Sequence, residues 1–144
     1  MISSLHLIIS FCIILIFSLI LSIQDIKHME VGIYIQWTSV YAALLCHIVF
    51  ARENIWLYII SSMIMGAIAF FIRKITKNKL GPADVWFAFF QGLFLRPFFL
   101  PFCILIQALA ALIIENKKFR KKSFPFIPYM SASLIISFLL QTLI

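Results

Sequence analysis

Long apolar runs, cut at intervals by charges and prolines, set the pattern of this chain. Apolar stretches cover residues 5–23, 31–51 and 55–72, with Arg52, Glu53 and Asn54 as a tight break between the second and third. Each holds about twenty residues, the length that crosses a hydrocarbon core of about 30 Å at 1.5 Å per residue. A basic segment, 73–79, leads into Leu80-Gly81-Pro82-Ala83-Asp84 and a shorter apolar run that ends at Leu95, before Arg96-Pro97. A fifth run spans 98–114, a second basic segment follows at 115–122, and a last run spans 126–144. Runs of this length must satisfy their backbone polar groups internally, so they predict helices rather than strands. The expected fold is an all-α integral membrane protein of about six transmembrane helices, with residues 1–144 forming a single polytopic domain.

The opening run has no basic stretch before it, is too long for a signal-peptide core and lacks an AxA-like cleavage site, so it reads as a retained first span. Ser62 and Gly66, and the cluster Ala108, Ala110 and Ala111, offer small-residue faces on which helices can approach closely. Ordinary helix composition accounts for both groups as well.

Composition agrees with the pattern. Of the 144 residues 64% are hydrophobic and 12% charged, far from the balance of a water-soluble domain. The net charge of +7 lies in short loops between spans, which speaks for lipid headgroups and orientation rather than nucleic acid. Ten of the twelve Lys and Arg fall in the first, third and fifth loops of a six-span chain, against Arg52 and Arg96 on the other side. That bias places those three loops in the cytoplasm and both termini outside, in the inner (cytoplasmic) membrane. Cys12, Cys46 and Cys103 form no CxxC pair, and His6 and His47 have no second ligand at metal spacing, so neither a metal nor another cofactor is expected. The cysteines read as lipid-facing or packed thiols.

The chain has two aspartates, Asp25 and Asp84. The first closes the first span and the second opens the fourth, so the six-span topology brings both to one depth on the cytoplasmic face. Two carboxyl groups sharing a proton can hydrolyse a peptide without a metal or covalent intermediate. The ionised one takes a proton from water, and the protonated one polarises the scissile carbonyl. Which aspartate plays which part stays open. Each also has a plain structural reading: Asp25 as a cap beside Lys27, Asp84 as a carboxylate favoured by a helix N-terminus.

Three motifs in order give these positions a context. Asp25-Ile26-Lys27-His28-Met29-Glu30-Val31-Gly32 carries an acid, a basic residue two positions on and an aliphatic residue, with Gly32 where a proline is expected. Gly81-Pro82-Ala83-Asp84-Val85-Trp86, with Gly92 eight residues after the aspartate, is a GxGD-like stretch in which Ala83 replaces a glycine and Trp86 a lysine. Pro125-Phe126-Ile127-Pro128-Tyr129 is PFGPF-like, with Ile127 in place of glycine. Together they resemble the prepilin peptidases, or type IV leader peptidases, in a small form without the zinc-binding CxxC region associated with methyl transfer.

The resemblance implies an aspartic endopeptidase without methyltransferase activity. Its catalytic residues would be Asp25 and Asp84, and Lys27, Gly81, Ala83, Pro125 and Pro128 would lie along the substrate. The partner it implies is a type IV pilin-like precursor, cleaved at the cytoplasmic face between a basic leader and a hydrophobic helix. A catalytically inactive relative serving as a membrane scaffold or assembly subunit is the alternative. A small transporter coupled through the same acids fits less well, because a transport site lies nearer the bilayer midplane.

Overall fold

The computed structural model describes residues 4–28, 30–77, 80–118 and 126–144, and of residues 111 and 114–118 it describes the backbone alone. Among the described residues the chain forms six α-helices and no strand. They are α1 (Ser4–His28), α2 (Ile33–Phe50), α3 (Ile55–Ile75), α4 (Pro82–Gly92), α5 (Leu100–Lys118) and α6 (Ile127–Leu143). Single 3₁₀ turns, Arg52–Asn54 and Pro97–Phe99, lead into α3 and α5. The break expected at residues 52–54 is therefore a tight helical turn. Asp25 does not end its helix: α1 runs one turn further, to Lys27 and His28, whose charges suit a helix C-terminus.

Three helical segments, Ser4–His28, Ile33–Phe50 and Arg52–Ile75, are long and apolar enough to cross a membrane. Pro97–Ala110 and Ile127–Leu143 are shorter apolar helices. With 11 residues, α4 is shorter still. It packs against α2, α3 and α6 and is buried on nearly every side, which explains an apolar pattern that goes all round the helix. Phe87 and Phe90 on α4, with Phe94 just beyond it, are almost fully buried and form the aromatic centre of the core.

The last carbonyls of a helix and the N–H groups just beyond it lack helical partners, so another part of the chain must supply them. Gln141 of α6 does so with both ends of its amide. Its Nε2 donates to the Phe94 carbonyl (3.1 Å), and its Oε1 accepts from the Arg96 N–H (2.7 Å). Small residues set the approach of α3 to α4. A Cβ on Gly92 would collide with the Ser62 backbone, and one on Gly66 would enter the Phe89 ring. The Ser62 hydroxyl donates to the Phe89 carbonyl at 2.7 Å, closing that seam. The second small-residue face is different: Ala108 is exposed and lines a cavity between α3 and α5 instead of a tight helix contact.

The buried stripe of α1 is His6, Ser10, Ile14, Ser18, Leu21 and Asp25, spaced by three or four residues down one face. Ser22 beside it meets Ser131 of α6 at 3.2 Å. This stripe carries Asp25 to the same end of the bundle as the first turns of α2, α4 and α6.

Candidate active site

Asp25 is 7% exposed, and the start of α6 holds it. The Ile127 N–H donates to Asp25 Oδ2 at 3.1 Å, and the Phe126 N–H also reaches this carboxylate. The first N–H groups of a helix have no partner within it, and the positive end of the helix dipole favours an anion. Asp25 thus caps a helix 102 positions away in sequence rather than pairing with Lys27. Lys27 is exposed and, two positions on, lies well round the helix from Asp25.

Asp84 is equally buried, at 8% exposure. It stands in the first turn of α4 and accepts the Gly81 N–H on Oδ2 at 3.0 Å, the reciprocal half of a capping box. Pro82, in the same turn, suits a position where an N–H would have no helical partner. Asp84 Oδ1 has no hydrogen-bond partner among the described residues. The plain structural reading therefore holds for Asp84 as far as it goes: it is a helix-terminal carboxylate. It also lies close enough to Asp25 for the two charges to act on each other. The last turn of α1 and the first turns of α4 and α6 so bring together two acids and the N–H groups that hold them.

Residues 12–115 match the type IV leader peptidase family, and this span includes both aspartates. The chain belongs to the type IV leader peptidase family. It is a membrane protein of a peptidase family. No curated protein and no solved structure matches it.

Against the family pattern, each departure in the described residues has a local counterpart. Gly32, where the family has proline, donates its N–H to Gln24 Oε1 at 3.1 Å, a bond proline cannot make. Trp86, in place of lysine, lies against Trp37 with ring centroids 5.0 Å apart. Ile127, in place of glycine, buries its side chain completely while its N–H serves Asp25. The Ala83 methyl packs against the edge of the core. Pro128 is half-buried in the first turn of α6, so the late motif is the segment that meets the first aspartate, although it lies beyond the matched span. Pro125 lies outside the described residues, as do Lys79, Arg120, Lys121 and Lys122 of the basic loops.

One residue of this candidate site was not singled out from sequence. Gln36, in the first turn of α2, is 4% exposed and donates from Nε2 to the Ala83 carbonyl at 2.6 Å. It ties α2 to the turn that carries Asp84. A glutamine on the buried face of a membrane helix was the available signal. A second polar pair also escaped notice, at the far end of the bundle. His6 Nε2 and His47 Nδ1 lie 3.3 Å apart, with Ser10 beside His6 and Tyr58 stacked on His47 at 4.3 Å. No group of three metal-ligating side chains forms among the described residues.

Proposed function

We propose that this chain is an intramembrane aspartyl endopeptidase that removes the leader of type IV pilin-like precursors at the cytoplasmic face of the inner membrane. The observation that carries the reading is the meeting of Asp25 and Asp84 at one end of the bundle, each held by backbone N–H groups at a helix start, in a member of a leader-peptidase family. Two neighbouring carboxyl groups in a poorly solvated site resist double ionisation, so one proton is shared between them. The ionised acid accepts a proton from water as the water oxygen attacks the scissile carbonyl. The protonated acid donates to the carbonyl oxygen, and the proton taken from water leaves with the new amine. The backbone cradles fix both carboxylates in place, and Gln36 steadies the turn behind Asp84.

The topology that suits this chemistry has six spans, both termini outside and the first, third and fifth loops in the cytoplasm. Its support is the distribution of Lys and Arg, together with the common end shared by both aspartates. The substrate would approach with its basic leader in the cytoplasm and its hydrophobic helix in the bilayer. Without a CxxC region in the sequence, methyl transfer is not part of the proposed activity.

Co-expression with a pilin-like precursor, followed by leader loss on a gel, tests the proposal. Wild type is expected to cleave, and Asp25→Asn and Asp84→Asn are expected not to. Equal cleavage by wild type and both variants would refute the aspartyl mechanism. Absence of cleavage with every precursor offered would favour a non-catalytic scaffold.

A further inference from the structure

A cavity of about 400 Å³ lies between α3 and α5, bounded by α4 and α6. Met65, Ile68 and Ile72 form one wall, and Ile104, Ala108 and Leu112 the other. Ile72, Ala108 and Leu112 are exposed, so the groove opens sideways, where a membrane protein meets lipid. Its inner end reaches Leu80 and Phe126. These residues directly precede Gly81 and Ile127, whose N–H groups hold Asp84 and Asp25. The groove therefore ends one residue short of each of these two donors, beside the cradle of the acids although neither aspartate lines it.

One polar side chain lines it, Gln107. Its Nε2 donates to Gln91 Oε1 at 2.9 Å, and Gln91, fully buried, donates in turn to the Met130 carbonyl at 2.6 Å. The Cys103 sulfur accepts a second, longer contact from Gln107 at 3.4 Å. With its nitrogen committed, Gln107 is left with Oε1, which has no partner among the described residues. A hydrogen-bonded amide relay thus runs from the core of the bundle to an apolar groove and ends there on an acceptor. Met130 lies one turn inward of Ile127, so this acceptor sits roughly one to two turns, about 5–10 Å, deeper than the aspartate cradle.

We infer that this groove receives the apolar helix following the scissile bond of the substrate, and that Gln107 Oε1 reads a hydrogen-bond donor within that helix's first two turns. The inference rests on the peptidase reading and adds to it where the substrate lies and which chemistry selects it. A lipid acyl chain fits the apolar walls but carries no donor. Against it, the amide oxygen stays unsatisfied in a medium that penalises this. A peptide helix bearing a hydroxyl at that depth fills the same walls and satisfies the oxygen. The groove is too small to enclose a helix about 10 Å across, so it takes the side chains of one face and leaves the rest in lipid.

Two measurements on the full-length protein in membranes test this, with a pilin-like precursor as the probe. In the first, Ala108→Trp fills the groove away from the acids and Gln107→Leu removes the acceptor while keeping much of the volume. Ala108→Trp is expected to raise KM about tenfold or more with a smaller change in kcat, and Gln107→Leu to raise it about fivefold. Replacing the precursor's hydroxyl residues in its first two helical turns by valine should remove the difference between wild type and Gln107→Leu. In the second, a photoreactive benzophenone side chain replaces Leu112 in an Asp84→Asn background, and a cross-link to the precursor's helix is expected. Cleavage with unchanged KM in both variants and no cross-link would overturn the groove and leave the peptidase reading standing. A cross-link without cleavage by the wild-type enzyme would retain the groove and overturn the peptidase. Cross-linking to lipid alone would assign the groove to an acyl chain and sink the inference.

Discussion

At one end of the bundle Asp25 and Asp84 sit among the first turns of three helices; at the other, His6 and His47 sit under Tyr58 and Phe94. The helical rise from His6 to Asp25 along α1 is about 28 Å, close to the thickness of a hydrocarbon core. Both ends bury polar side chains almost completely, so burial does not separate them. Their surroundings do. The histidines are packed among aromatic rings, with Ser10 and Cys46 beside them, and none of these side chains lines the apolar groove. The aspartates are held by backbone N–H groups, and although neither acid lines the groove, Leu80 and Phe126, the residues before the two donors, do. A buried polar pair in a membrane protein acquires a candidate function from what borders it, more than from being buried.

The largest effect should come from the acids. Asp25→Asn or Asp84→Asn keeps the shape and an acceptor oxygen but removes the ionisable group. Cleavage of a pilin-like precursor is expected to fall by about 10²–10⁴-fold, with the variants still extracting as folded protein. If either variant cleaves like wild type, the two ends are not functionally distinct.

Next comes the support behind Asp84. Gln36→Leu leaves the Ala83 carbonyl without its α2 donor, and a loss of about 1 kcal/mol of positioning corresponds to a fall of roughly fivefold in kcat. KM should move less, and Gln36→Asn should restore little, because its shorter arm falls short of the carbonyl. An effect on thermal stability with no change in kcat would make Gln36 a structural tie only.

At the histidine end the expected order is reversed. His47→Ala opens a cavity beneath Tyr58 and orphans a partner of His6, with an expected cost of about 1–3 kcal/mol in stability. The rate of cleavage per folded molecule should hold. A matching loss of kcat would mean that the two ends communicate along α1, which would break the comparison.

The smallest effect concerns Ala83. Glycine there costs about 0.5–1 kcal/mol through backbone freedom in a first helical turn and loses a methyl contact with the core. Cleavage that rises with Ala83→Gly despite that loss would show that the methyl crowds the substrate.

Helix positions were legible from the run lengths, and the small-residue seam of Ser62 and Gly66 could be read from spacing, because both signals are local. The placement of Asp25 and Asp84 at a common end of the bundle was legible too, since the order of the spans sets it. What holds them was not. The cap of α6 by Asp25 links residues 102 positions apart, and no local pattern records such a pairing. The same limit hid the contact between His6 and His47, which lie in different helices. Ala108 stayed ambiguous for a different reason: small residues at helix spacing lie along tight seams and along grooves alike, and only the neighbouring helix decides which.

The bond from Ile127 to Asp25 also orders events in time. The chain is made from its N-terminus, so the first aspartate enters the membrane long before the donors that hold it exist. Until the sixth helix has been synthesised and has docked, Asp25 has no cradle and the proposed pair is incomplete. On the proposed peptidase reading, activity would begin only once the sixth helix is in place, so a chain interrupted before residue 127 would leave neighbouring nascent chains uncut.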